Sequence, residues 1–172
     1  MPYKFKIQSI NSRRLLCISS SKIENTYIDY TAQGFLPENQ IASSLAAEWI
    51  TKFDPEETLS GYSRPVQLYN PEIYRFLGDT EETVKISGTE NKTGSIAGSM
   101  RYDSPDTSIF FIFRNIGENK FKIYQYESDN NALNHKKLII DIENLSRVLI
   151  SSEIINNSTT LDDSWQIIKI AD

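Results

Sequence analysis

The side chains able to do acid–base, nucleophilic or metal chemistry are few. The 172 residues hold one histidine, His135, and one cysteine, Cys17. A Cys–His nucleophile pair, or a zinc site drawing on both, would need the two together. His135 sits in the polar stretch 130–137, which reads as a loop, whereas Cys17 sits inside the apolar stretch 15–18. Nothing in the spacing unites them, and a small thiol in such a strand is a buried core residue. Carboxylates cluster at Glu56 and Glu57, across residues 79–82, and at Asp162 and Asp163. Paired carboxylates can serve as acid and base, but these runs read as solvated loops, and none has the alternating spacing of a calcium loop. Residues 94–98, Gly-Ser-Ile-Ala-Gly, lack the Lys-Ser/Thr pair of a phosphate loop and read as a turn between strands. The expectation is a non-enzymatic protein with no catalytic residues, no metal and no cofactor.

Composition points the same way. Eighteen Lys and Arg against 23 Asp and Glu give a formal charge of -5, the wrong sign for neutralising nucleic-acid phosphates. Hydrophobic residues at 39% and aromatics at 11% suffice for a real core, and the length fits one domain over 1–172. The N-terminal Met-Pro-Tyr-Lys-Phe-Lys-Ile alternates charged and apolar residues and shows no signal-peptide core. The longest apolar runs, such as 109–113, are too short to span a bilayer. A lone cysteine allows no intramolecular disulfide and suits a reducing compartment. A cytoplasmic protein without membrane span or nucleic-acid partner is expected.

The elements that would position any site announce themselves by repetition. Lys4-Phe5-Lys6-Ile7 recurs as Lys120-Phe121-Lys122-Ile123, and each copy is followed by a tryptophan-led apolar strand. Trp49 lies 44 positions after Phe5, and Trp165 lies 44 positions after Phe121. The same step back from Phe110 lands on Val66, inside another alternating segment. Three units result, approximately 3–58, 59–116 and 117–172. Each carries an inner strand as well, at 15–18, 73–77 and 138–142, rich in β-branched and aromatic residues. Residues 112–123 read as a hairpin turning at Gly117-Glu118-Asn119. Between units one and two, residues 54–64 form a longer insertion that belongs on the surface. Helical periodicity is weak everywhere, the best candidate being 41–47.

Three four-stranded units, each with a bulky aromatic leading its last strand, resemble the β-trefoil. That resemblance implies an all-β fold of six barrel strands capped by three hairpins, with Trp49, Phe110 and Trp165 meeting near a pseudo-threefold axis. It also implies function carried by loops on a rigid scaffold. In size, acidity and lack of disulfides the chain resembles the mycocypins, the cysteine-proteinase inhibitors of mushrooms. The first-unit loop that plugs a papain-like cleft would correspond to Asn11-Ser12-Arg13-Arg14, placing Ser12 and Arg13 at the contact. The second-unit asparagine read by asparaginyl endopeptidases would be Asn70, which Pro71 restricts to extended conformations. Trefoil lectins are the alternative. The ricin-type Gln-any-Trp signature is absent, since Ala47 and Asp163 stand two residues before the tryptophans. A single irregular sugar site would instead use aromatic faces beside amides or carboxylates, as at Tyr69 and Asn70, Tyr102 and Asp103, or 124–129. A proteinase or other protein surface is thus the first expected partner, and a glycan the second.

Overall fold

Alternation of apolar and polar residues drives most of the described residues into strands. The computed structural model describes residues 2–19, 30–36, 44–99, 109–127, 132–153 and 160–170. Their strands are β1 (Tyr3–Ser9), β2 (Leu15–Ser19), β3 (Tyr30–Phe35), β4 (Trp49–Thr51), β5 (Thr58–Leu59), β6 (Tyr62–Ser63), β7 (Val66–Gln67) and β8 (Tyr69–Asn70). Then follow β9 (Arg75–Lys85), β10 (Thr93–Ser99), β11 (Phe110–Gly117), β12 (Lys120–Glu127), β13 (Ala132–Asp141), β14 (Arg147–Ser151), β15 (Leu161–Asp162) and β16 (Trp165–Lys169). The candidate helix reduces, in its described part, to a 3-10 turn at Ser44–Ala47; residues 41–43 lie outside the described residues.

The pairings close a ring. β1 pairs with β16 and β4, β4 with β8, β7 with β11, β11 with β12, and β12 with β16. Because β7 and β8 are two halves of one strand broken at Leu68, this is a six-stranded antiparallel barrel. The remaining long strands form the hairpins β2–β3, β9–β10 and β13–β14. These hairpins also pair with one another, β3 to β10, β10 to β14 and β14 to β3. A closed barrel under a three-hairpin triangle is the β-trefoil, and closure leaves the main ladder without free edges. The turn between β11 and β12 falls at Glu118 and Asn119, as the sequence suggests.

Five local expectations change. Residues 73 and 74 belong to the turn before β9 rather than to its strand, since the Tyr74 amide closes back on Asn70 O at 2.9 Å. The stretch 94–98 is the body of β10 rather than a turn. Its glycines serve close packing: a Cβ on Gly98 would meet Tyr30 O of the neighbouring hairpin at 2.5 Å. His135 lies in strand β13, not in a loop. Asp162 and Asp163 are buried, not solvated, and so is Asp79. Finally, Phe110 is not the third member of the axial aromatic set. Phe5 opposes Trp49, Phe121 opposes Trp165, and Val66 opposes Phe111. The second unit therefore carries one extra residue between the paired positions. A one-residue shift exchanges the faces of a strand, so Phe111 is fully buried whereas Phe110 is half-exposed.

The core follows the same threefold logic. Phe5, Trp49, Phe111, Phe121 and Trp165 form one apolar cluster with Ile7, Leu68 and Ile123 and with Leu16, Leu77 and Leu138 from the hairpins. Phe113 packs edge-on against both Phe5 and Phe121, with ring centroids at 6.4 and 6.1 Å. Each indole also satisfies its N–H within its own unit: Trp49 Nε1 donates to Leu16 O at 2.9 Å and Trp165 Nε1 to Leu138 O at 3.2 Å.

Candidate functional site

The alternation that buries Trp49, Thr51, Val66, Leu68 and Phe111 turns their neighbours outward. Ile50, Gln67, Tyr69 and Phe110 thus share the outer wall of the barrel where β4, β7, β8 and β11 meet. Phe76 opposes Tyr69 across β8 and β9, and their rings lie 5.3 Å apart with planes inclined at 60°. Together with Phe53 these residues line a groove of about 760 Å³. Its lining is mainly aromatic and aliphatic, and its polar side-chain groups are the Gln67 amide, the Lys52 ammonium and the Tyr69 hydroxyl. Thr51 borders it but is buried, its hydroxyl donating to Phe53 O at 2.6 Å. A second cavity of about 440 Å³ adjoins it, lined by Tyr3, Tyr62, Arg64, Asp54, Glu57 and the β5–β6 hairpin. Lys52 and Phe53 line both, so Phe53 stands between them. This hairpin is the inserted stretch between units one and two. It turns at Ser60 and Gly61, both with positive φ, and leaves Leu59 85% exposed.

Of the residues singled out in the sequence, Tyr69 lies in this groove. Ser12 and Arg13 lie elsewhere, in the β1–β2 turn. The Asn11 and Ser12 amides donate to Asp162 Oδ2, both at 3.0 Å, and the Ser12 hydroxyl pairs with Ser9 Oγ. Gln8 Nε2 holds Arg13 O at 2.9 Å, and the Arg13 amide closes on Ser9 O at 3.1 Å. Arg13 is exposed, but its φ of 58° is left-handed, not the extended backbone of a substrate-like loop.

Asn70 is corrected outright. Its exposure is 0%. Its amide nitrogen donates to Ala46 O and Glu48 O, at 3.0 and 3.3 Å, and its Oδ1 accepts from the Glu72 amide at 3.0 Å. The side chain ties the Ser44–Ala47 turn to the following loop and presents nothing to a proteinase. Tyr124 is half-buried, and Tyr102, Asp103, Ser128 and Asp129 lie outside the described residues.

Cys17 and Asp163 have structural surroundings that explain them. Burial pushes the Cys17 thiol up to about 12, which leaves it un-ionised and inert. Asp163 Oδ2 accepts from Lys137 Nζ at 2.7 Å and from Lys122 Nζ at 2.9 Å. Burial pushes its carboxyl up, but the two ammonium groups outweigh burial and hold it below its ordinary value. Among the described residues, no three His, Cys, Asp or Glu side chains could hold a metal ion together. No helix among them is long and apolar enough to cross a membrane.

Sequence reasoning missed Phe110, Phe76, Phe53, Ile50, Gln67, Lys52 and Arg64. Alternation from Trp49 marks Ile50 and Lys52 as outward-facing, so part of the signal was present. Phe110 was hidden by the extra residue in unit two.

Comparison with known proteins establishes the fold. No protein-family profile matches the chain, and no curated protein sequence does. The structure of ThreeFoil, a designed threefold-symmetric protein, superposes with a TM-score of 0.58 at 14% identity, over 97% of this chain and 99% of that one. An exo-β-1,3-galactanase from Clostridium thermocellum matches with a TM-score of 0.56 at 16% identity, over 98% of this chain but 30% of the enzyme. A GlcNAcα1-4Gal-releasing endo-β-galactosidase from Clostridium perfringens matches with a TM-score of 0.58 at 14% identity, over 98% of this chain and 33% of the enzyme. At such identities the likeness is one of fold alone, and that fold is the β-trefoil.

Proposed function

We propose that this β-trefoil is a non-catalytic glycan-binding protein that seats a saccharide ring in the groove on the outer barrel wall between its first and second units. The observation that carries the reading is the groove itself, where Tyr69, Phe76 and Phe110 stand beside the Gln67 amide. Sugars offer an apolar C–H face and a rim of hydroxyls, and aromatic surfaces with a few placed polar groups complement both. Two glycan-degrading enzymes among the structural neighbours lend support, since in each this chain matches only part of the enzyme's length. The proteinase-inhibitor reading draws no support from the loops it needs, because Asn70 is buried and the turn of Ser12 and Arg13 is pinned.

The test is a glycan array followed by titration calorimetry, run beside papain-, legumain- and trypsin-type inhibition assays. Binding of a saccharide is expected without inhibition. Tyr69→Ala and Phe110→Ala should each weaken it by about fivefold to tenfold, the worth of one aromatic contact. Affinity untouched by either substitution would move the site elsewhere. Stoichiometric inhibition without glycan binding would reverse the assignment.

A further inference from the structure

The wall between the two cavities carries a feature that a neutral sugar does not require. Lys52 Nζ lies 5.6 Å from the centre of the Phe53 ring, and the Arg64 guanidinium lies 4.9 Å from it. Two like charges therefore share one aromatic ring. Each is attracted by the ring's quadrupole, but neither is neutralised: among the described residues, no carboxylate lies within ion-pair distance of either. This happens in a chain whose net charge is -5, where carboxylates outnumber cations and partners are not scarce. Lys52 and Arg64 are both exposed, free to meet a ligand, unlike the more buried Lys122 and Lys137, which Asp163 pairs.

From this arrangement we infer that the groove binds an acidic saccharide, with a carboxylate or sulfate of the ligand bridging Lys52 and Arg64 while a neighbouring ring lies against Tyr69 and Phe110. The inference rests on the glycan-binding reading above and names the ligand's charge. The shared wall sets the geometry. Lys52 and Phe53 border both cavities, so an anion there belongs to the junction of two adjoining sugar subsites. An anionic group met by a guanidinium and an ammonium forms charge-assisted hydrogen bonds, the strongest kind available to a sugar substituent. The acids facing this point are Asp54 and Glu57. Asp54 is committed to its own turn, where its Oδ1 accepts from the Glu56 amide at 2.9 Å. Glu57 is exposed on the rim of the second cavity, where it opposes anions and so trims the affinity.

The experiment is an array in which neutral oligosaccharides stand beside matched acidic forms. Tetragalacturonate is paired with its methyl ester, and a sulfated galactan tetrasaccharide with its desulfated form. The best-binding pair is then titrated. The acidic member should bind about tenfold or more tightly than its neutral partner. Lys52→Gln with Arg64→Gln should collapse that ratio towards one, Arg64→Lys should keep most of it, and Glu57→Gln should raise it. Preference for uronates or for sulfates distinguishes the two sources of the anion. Equal affinity for both members of every pair, or a preference that survives the double substitution, would overturn the acidic-ligand inference and leave the groove reading standing. Absence of binding to every member, acidic or neutral, would overturn the groove reading and this inference with it.

Discussion

Phe110 and Phe111 are adjacent and chemically identical, yet they face opposite sides of the barrel wall. Phe111 is fully buried in the axial cluster, while Phe110 lines the groove. Their substitutions should therefore separate stability from binding. Phe111→Ala should cost about 3–5 kcal/mol, the range for emptying a core site. Phe110→Ala should cost about 1 kcal/mol or less, as partly exposed side chains do, while it weakens the glycan. Urea melts of the two variants decide it, and equal losses would mean that the two rings do not face opposite ways. The pair also marks where the sequence stops being legible. Phe5 to Trp49 and Phe121 to Trp165 share one spacing, which located the barrel strands correctly. A single added residue in the second unit breaks the count, and because side-chain direction has period two, that residue moves an aromatic from core to site. Asp163 belongs to this scale too. Read by composition, it is one of a run of solvated acids; in the fold it is the shared acceptor of Lys122 and Lys137. Its carboxyl is held below the ordinary carboxylate value, so its contribution to stability is present above that value and is lost as pH falls through the depressed one. The melting temperature of the wild type should approach that of Asp163→Asn as pH drops below about 4. A gap that stays constant on further acidification would contradict the pairing.

At the scale of elements, the β1–β2 and β8–β9 turns are the same device used twice. Ser9 and Asn70 are both buried at the ends of their barrel strands. The fourth residue onward, Arg13 or Tyr74, closes an amide on each of their carbonyls, at 3.1 and 2.9 Å. Arg13 and Tyr74 each adopt a φ of 58°, so the strand end pins a left-handed residue at the turn in both units. Asn70 adds three side-chain hydrogen bonds to this scheme and joins the Ser44–Ala47 turn to it. Asn70→Ala should accordingly cost about 1–3 kcal/mol, because two carbonyls and an amide lose a buried partner. In proteinase assays the variant should behave as the wild type does. A variant as stable as wild type in a thermal melt would show that the amide contributes no net stability. Sequence reasoning saw Asn-Pro as an extended, presented segment. The restriction from Pro71 is real, but whether the side chain points to solvent depends on the preceding turn, which lies 24 residues earlier in the chain. No local pattern carries that contact.

At the scale of the whole molecule, the fold is held by its two ends. β1 runs against β16 from Phe5 opposite Lys169 to Ser9 opposite Trp165. Ile170 N donates to Lys4 O at 3.1 Å and Ile10 N to Ser164 O at 2.9 Å, while Gln166 Nε2 reaches Gln8 Oε1 at 2.7 Å. Asp162 then fastens the first turn by accepting from the Asn11 and Ser12 amides. Contacts spanning the full chain must be closed against loop entropy before they stabilise anything, which slows folding to about milliseconds or longer. They also make the ring all-or-none. β16 is paired with both β1 and β12, so removing it opens two seams at once and withdraws Trp165 from the axis. A chain ending at Ser164 should therefore lose its cooperative urea transition altogether, whereas Asp162→Ala in the full chain should keep a single transition at lower midpoint, destabilised by about 1–3 kcal/mol because the Asn11, Ser12 and Ser164 amides lose their acceptor. A sigmoidal melt of the shortened chain with an undiminished denaturant slope would mean that five barrel strands and three hairpins bury as much surface as the closed ring, and that closure is not what makes this trefoil a cooperative unit.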